Sequence, residues 1–123
     1  SLGLTASSWT HLAFVYDYSG GNQTITWYKN GIQQTTGSSA AAGTWAWTTF
    51  VLGNINGGSA GWYSGSIDEV KIYNYARSSK QIVEDMNAGH PAGGSPVGSQ
   101  KLYWKMDEGY SVNLKDSSSQ NIT

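Results

Sequence analysis

Apolar and polar residues alternate along the first part of the chain in a way that predicts short β-strands. Residues 9–17 carry apolar side chains on both faces, which is typical of an interior strand of a sandwich. Residues 24–29 predict the next strand, and residues 32–36 predict the strand that returns. Asn30-Gly31 separates these two strands and predicts a hairpin, because both positions of a type I′ turn require a positive φ.

Residues 65–74 predict the strand around which the rest of the chain is organised. Successive side chains of a strand point to opposite faces, so Val70 and Ile72 define the predicted core face. Asp68 would stand at the end of that apolar row, where a carboxylate is costly unless it is hydrogen-bonded, paired or bound to a cation. The other face would carry Glu69, Lys71 and Tyr73.

A short helix is predicted after this strand, over about residues 79–87. Ser78 and Gln81 have the spacing of a capping box, and Gly89 is placed to end the helix. The predicted apolar stripe of the helix consists of Ile82, Val83 and Met86.

Glycine, proline and small polar residues predict the connections between these elements. We expect a turn at residues 18–22, a loop at 37–43 and a glycine-rich loop at 54–61. A short strand is predicted at residues 50–53, and residues 91–100 predict a linker.

Composition favours an all-β fold and argues against several functions. Sixteen glycines indicate short strands joined by turns. The net charge is −1 and only 12% of residues are charged, so no basic footprint predicts binding to nucleic acid or to an anionic membrane. No apolar run is long enough to span a bilayer, and the absence of cysteine excludes disulfides and thiolate metal sites.

The order and spacing of residues 9–17, 27–31 and 65–82 resemble the central strand, the following hairpin, and the closing strand and helix of a known module. That module is the laminin-G-like module of the concanavalin A-like lectin/glucanase superfamily. The resemblance implies an all-β fold, an antiparallel jelly-roll β-sandwich with one short helix on its C-terminal side. One fold hosts many functions, so the resemblance alone does not define an activity.

The tail alternates in the same way as a half-buried strand, with Leu102, Trp104 and Met106 on its apolar side. It resembles the opening strand and loop of the same fold. The expected organisation is therefore the second half of a module at 1–90, a Pro/Gly linker at 91–100, and the opening strand and loop at 101–123, completing this module or a neighbouring one. We expect residues 102–106 to pair antiparallel with residues 67–73, in this chain or in a neighbouring copy.

Catalysis is not expected from the carboxylates. Glycosidic cleavage needs a pair of carboxylates in one cleft, whereas Asp68 and Glu69 are adjacent and point to opposite faces of a strand. Asp107 and Glu108 have the same arrangement. We therefore expect that the chain is not an enzyme. A fragment related to glycosidases is the third alternative for its function.

A structural calcium ion is one hypothesis for Asp68 and Asp116. The resemblance implies that a calcium ion ties the opening loop to the closing strand through these positions, and calcium takes oxygen ligands. Ser119 departs from the glycine usual in that loop. The alternative is that Asp68 accepts backbone hydrogen bonds and Asp116 begins an Asx turn.

A carbohydrate site is predicted around the glycine-rich loop. Lectin sites combine an aromatic platform with amide and backbone groups, and loops often carry such sites. The alternative is that the aromatic side chains fill the core, and we expect this of at least half of them. The candidate ligand-binding residues are Trp45, Trp47, Asn54, Asn56, Trp62 and Tyr63.

The function predicted from these features is a non-catalytic recognition module for carbohydrate, located outside the cell or on its surface. The alternative is a structural repeat or subunit of an extracellular fibre or surface adhesin that self-associates by strand exchange. The expected partners are carbohydrate or neighbouring copies of the chain, with neither nucleic acid binding nor membrane insertion. Asn22 and Asn121 begin glycosylation-type triplets, for which chance is the favoured explanation.

Overall fold

The computed structural model describes residues 3–19, 22–40, 51–54, 61–87, 100–109, 113–118 and 120. These residues are mostly β, with two antiparallel sheets and one short helix. The elements are β1 (Leu12–Ser19), β2 (Asn22–Lys29), β3 (Ile32–Ala40), β4 (Val70–Tyr73), α1 (Ser79–Asn87) and β5 (Gln100–Trp104).

The first sheet has the strand order β1-β2-β3. Its register pairs Phe14 with Trp27 and Ser19 with Asn22. The prediction that a loop begins at residue 37 was wrong, because β3 continues to Ala40 along the start of β2. Small and polar residues are weak strand formers on their own, and here the neighbouring strand determines their conformation.

The predicted hairpin turn between β2 and β3 is confirmed. Asn30 and Gly31 have φ values of 50° and 75°, as a type I′ turn requires. The Asn30 amide N–H also donates to the His11 carbonyl oxygen at 2.9 Å, and Asn30 Oδ1 accepts the His11 amide N–H at 2.9 Å. The turn is therefore tied to the chain just before β1.

The second sheet consists of β4 and β5, which pair antiparallel within the chain as expected. Lys71 lies opposite Tyr103, and Ile72 lies opposite Leu102. The strand β4 is shorter than the predicted span of residues 65–74, because Glu69 has a φ of 54° and interrupts the extended backbone.

The burial of this second sheet differs from the predicted pattern. Val70 and Ile72 were expected to form the core face, yet both are only half-buried. The most buried side chain of β5 is Tyr103, which is 3% exposed and lies on the other face, opposite Lys71. Tyr103 is held there by its hydroxyl, which donates to Glu69 Oε2 at 2.6 Å, and Lys71 Nζ lies 4.9 Å from its ring centroid.

The predicted capping box begins α1. The Ser78 amide N–H donates to Gln81 Oε1 at 3.0 Å, and the Gln81 amide N–H donates to Ser78 Oγ at 3.3 Å. Ile82 is 2% exposed and is the most buried side chain of the helix. The helix approaches the β2–β3 turn, because a Cβ atom added to Gly31 would lie 2.9 Å from Val83 Cγ2.

Some predicted elements differ or lie outside the described residues. Residues 51–53 do not form the predicted short strand. Phe50, Gly89 and residues 91–99 lie outside the described ranges. In the described chain, the extensive contacts join neighbouring strands of one sheet, and no helix there has the length and apolar character needed to cross a membrane.

Candidate functional site

Residues 51–54 and 61–67 lie against each other and are called here the loop pair. The Tyr63 amide N–H donates to the Gly53 carbonyl oxygen at 2.8 Å. A Cβ atom added to Gly53 would lie 3.8 Å from Ile67 Cδ1, so the Ile67 side chain lies close to Gly53. Gly53 has a φ of 76°, which glycine adopts without the cost borne by other residues.

Tyr63 is held in place within the loop pair although its side chain is exposed. Its hydroxyl donates to the Ser66 carbonyl oxygen at 3.4 Å. The ring lies over Gly65, where an added Cβ atom would stand 2.7 Å from Tyr63 Cζ. Only glycine leaves room for this ring position, and 50% of Tyr63 remains exposed.

Trp62 is the most exposed aromatic side chain of the loop pair, with 71% of its surface accessible. Val51, Leu52 and Ile67 add exposed apolar surface in the same two segments, at 37–39% each. The loop pair therefore carries exposed apolar side chains together with an indole and a phenol. Such a surface offers flat faces for stacking and polar groups for hydrogen bonds.

The structure brings together part of the predicted ligand-binding set. Trp62 and Tyr63 are both exposed, so neither fills the core as the alternative would require. Asn54 is half-buried and follows the Gly53 carbonyl that binds Tyr63. The remaining candidates lie outside the described residues, namely Trp45, Trp47 and Asn56.

Asp116 is 4% exposed and its carboxylate is bound to protein donors. Oδ1 accepts the amide N–H groups of Tyr103 and Ser118, both at 2.9 Å. Oδ2 accepts the Ser118 hydroxyl at 2.8 Å. This is the Asx-turn arrangement of the second hypothesis, and it fastens the loop to β5, where the Ser117 amide N–H also donates to the Tyr103 carbonyl oxygen at 2.7 Å.

Asp68 is exposed, and its Oδ1 accepts the Glu69 amide N–H at 2.9 Å. Among the residues that the structure describes, no three acidic or histidine side chains are grouped so that they could hold a metal ion. The described residues therefore do not by themselves assemble the six to eight oxygen ligands that a calcium ion takes. A structural calcium ion stays a prediction.

Sequence reasoning missed a buried ion pair between Arg77 and Asp85. Arg77 Nη2 lies 2.6 Å from Asp85 Oδ2, with side-chain exposures of 5% and 10%. The guanidinium also stacks on Tyr73, 4.2 Å from its ring centroid, and the Tyr73 hydroxyl donates to Asp85 Oδ1 at 3.1 Å. No spacing rule predicts this pair, because Arg77 lies in the connection before α1, where its conformation is not set by helix periodicity, and Asp85 lies on the helix.

The titration of these buried tyrosines follows from their surroundings. Burial, together with the nearby Asp85 carboxylate, raises the pKa of Tyr73 to about 12. Burial also raises the pKa of Tyr103, and its hydrogen bond to Glu69 acts in the same direction. Both hydroxyls donate to carboxylates, and these hydrogen bonds stabilise the fold.

Comparison with known proteins identifies the family but no individual relative. No curated protein and no solved structure matches the chain. Residues 2–83 match a laminin-G family model described as concanavalin A-like lectin/glucanases superfamily. This match covers more than half of the chain and includes both loop segments, β1 to β4 and the start of α1. Such a match suggests a lectin-like or carbohydrate-binding module. The chain belongs to the concanavalin A-like lectin/glucanase superfamily.

Proposed function

We propose that the chain is a non-catalytic module that binds carbohydrate at the loop pair. The observation that carries this proposal is the exposure of Trp62 at 71%, next to a Tyr63 ring that is half exposed and fixed over Gly65. The family is consistent with a lectin-like role. Function in such a family resides in the site rather than in the fold, so the loop pair is the part to test.

The chemistry of sugars fits this surface. A pyranose ring presents an apolar face, which packs on an indole, and a rim of hydroxyls, which bond to amides and backbone groups. Tyr63 is already held by its contact with Gly65 and its hydrogen bond to Ser66. Binding a sugar therefore costs little further conformational entropy of this side chain. Trp62 supplies the stacking face, and backbone groups of the adjoining segment can supply hydrogen bonds to the hydroxyls.

The experiment compares Trp62→Ala with Trp9→Ala, since both tryptophans are 71% exposed. The wild-type chain is screened on a glycan array, and hits are measured by titration calorimetry. We expect Trp62→Ala to lose binding and Trp9→Ala to retain it. Both variants should keep the melting temperature, because substitutions of exposed side chains usually change stability by no more than about 0.5 kcal/mol.

Two results would reject the site. One is a wild-type chain that binds no glycan on the array. The other is an equal loss of affinity in Trp9→Ala and Trp62→Ala, which would mean that exposed tryptophans bind glycans without regard to their position. A large loss of stability in Trp62→Ala would instead indicate a packing role for this side chain.

We also propose that the module has no glycosidase activity, that it works outside the cell or on its surface, and that its full architecture is a jelly-roll sandwich. The first point rests on the positions of Asp68, which is exposed, and Glu69, which is engaged by Tyr103. Incubation with laminarin, xylan and related polysaccharides should release no reducing ends. Turnover abolished by a single Asp or Glu substitution would overturn this point.

The second candidate function is self-association by strand exchange in a fibre or adhesin. The observation that favours it is the pairing of β5 with β4, in which the tail contributes a whole strand to its sheet. An equivalent strand from a neighbouring copy would make the same contacts, and polymers follow if the exchange does not close. Two fluorescently labelled preparations refolded together should then show energy transfer that persists on dilution. Energy transfer no greater than that of separately refolded and mixed chains would reject exchange.

A further inference from the structure

The loop pair lies in a long stretch of the chain that carries no charge. Residues 30–67 contain no Asp, Glu, Lys, Arg or His, although 12% of the chain is charged. Both segments of the loop pair fall within this stretch. The stretch ends at Asp68, whose side chain is exposed directly after the loop pair. The charge that adjoins the candidate sugar site in the sequence is therefore negative.

The polar groups that the loop pair exposes are neutral hydroxyls. Ser64 and Ser66 are exposed, and the phenol of Tyr63 is half exposed. Hydroxyl groups both donate and accept hydrogen bonds, as do the hydroxyls of a sugar, so the two kinds of group are complementary. A sulfate or carboxylate placed against the same groups would lose its water and gain no cation, which is costly for an ionised group.

The two cations that follow the loop pair in the sequence are already engaged. The side chain of Lys71 is 9% exposed, and its Nζ lies 3.3 Å from Glu69 Oε2 and 4.9 Å from the ring centroid of Tyr103. The side chain of Arg77 is 5% exposed and is paired with Asp85. Turning either cation towards an anionic ligand would leave a carboxylate of this chain without its partner.

We propose that the loop pair binds neutral glycans and discriminates against sulfated, sialylated and uronic-acid-containing ones, an inference that rests on the proposed carbohydrate site. An anionic sugar meets two costs here, because its charge finds no cation in the loop pair and Asp68 repels it. A neutral sugar meets neither cost. Its binding forms no ion pair, so its affinity should not depend on salt concentration.

The experiment is a glycan array on which each neutral glycan stands beside the sulfated form of the same glycan, together with sialylated and uronic-acid-containing glycans. The full chain should bind neutral members and give a signal at least about tenfold lower on their sulfated forms. The neutral signals should change by no more than about twofold between roughly 0.02 and 0.5 M NaCl. Trp62→Ala should lose them.

Asp68→Asn separates the charge beside the loop pair from the net charge of the chain. Asparagine keeps an oxygen that can accept the Glu69 amide N–H, so the local hydrogen bond is preserved. Asp17→Asn is the matched control, because Asp17 is also exposed but lies in β1. We expect Asp68→Asn to raise the signals on sulfated glycans relative to their neutral forms, and Asp17→Asn to leave that ratio as in the wild type.

The possible results distinguish the selectivity from the sugar site itself. Anionic glycans bound as strongly as neutral ones, with all binding lost in Trp62→Ala, would keep the sugar site and overturn its selectivity. Equal changes in Asp68→Asn and Asp17→Asn would also overturn it, because net charge would then exclude the anionic glycans. Absence of binding to every glycan on the array would reject the sugar site and the selectivity with it.

Discussion

Around β4, α1 and β5 the most buried side chains include polar ones, whereas in the three-stranded sheet several large apolar side chains are exposed. Arg77 and Gln100 are 7% and 6% exposed, while Phe14 and Ile32 are 61% and 68% exposed. Burying polar groups is favourable only where each finds a partner, and the first region supplies these partners itself. The difference indicates that the first region pairs its buried polar groups within itself, whereas the three-stranded sheet leaves large apolar side chains accessible.

The largest expected effect concerns the Arg77–Asp85 pair. Arg77→Ala leaves a buried carboxylate without its cation, so it should lower the free energy of unfolding by about 3–5 kcal/mol. Chemical denaturation measures this loss. Lys80→Ala, at an exposed position of the same helix, is the control and should change stability by less than about 0.5 kcal/mol. Equal stabilities of the two variants would show that this region is not held by its polar contacts.

Gly31→Ala tests the junction between the two regions. Gly31 has a φ of 75°, and an added Cβ would lie 2.9 Å from Val83 Cγ2 in α1. Backbone strain alone costs roughly 1–2 kcal/mol, and displacement of Val83 adds to it. Gly37→Ala is the control, because no atom lies within 4 Å of its added Cβ and no left-handed φ is required. Gly37→Ala should leave the free energy of unfolding unchanged or raise it slightly, as measured by chemical denaturation. A similar loss of stability in Gly31→Ala and Gly37→Ala would argue against contact between α1 and the turn.

Ser78→Ala removes the hydroxyl of the capping box and should cost about 1 kcal/mol. Ser79→Ala, one position further on and exposed, keeps the cap and should have little effect. The measurement is the midpoint of urea unfolding for each variant. If Ser79→Ala costs as much as Ser78→Ala, the cap does not stabilise α1, and the helix is held by packing alone.

The smallest expected effect is the pH dependence due to His11. Burial lowers the pKa of His11, although the Asp85 carboxylate opposes this and Lys71 adds to it. Because the pKa of His11 is lower in the folded state than in the unfolded state, the neutral imidazole contributes its full share of the unfolding free energy above about pH 6.5. This contribution is lost as the pH falls through the folded-state pKa. His11→Gln should therefore flatten the acid limb of a curve of unfolding free energy against pH. An unchanged acid limb in His11→Gln would contradict the assignment.

The candidate site was only partly predictable from sequence. Trp62 and Tyr63 were identified because aromatic residues beside a glycine-rich loop indicate a binding surface, but their exposure had to be observed. The contact between Tyr63 and Gly65 was not predictable, because the position of a side-chain ring within a loop produces no periodic pattern in the sequence. Asp116 was predicted to be a metal ligand. In the structure its carboxylate oxygens accept hydrogen bonds from Tyr103 and Ser118.

The sequence by itself determined the local elements and the family. Asn30-Gly31 specified its turn because few residue pairs accept two positive φ angles, and Ser78 with Gln81 specified the helix start because the capping box is a local arrangement. The tertiary structure alone decided how far each strand runs and which face is buried. The extension of β3 to Ala40 depends on β2, and the burial of Tyr103 depends on Glu69 and Lys71, which lie more than thirty residues away in the sequence. These outcomes follow from which neighbour supplies hydrogen bonds and contacts, and such neighbours are brought together only when the chain has folded.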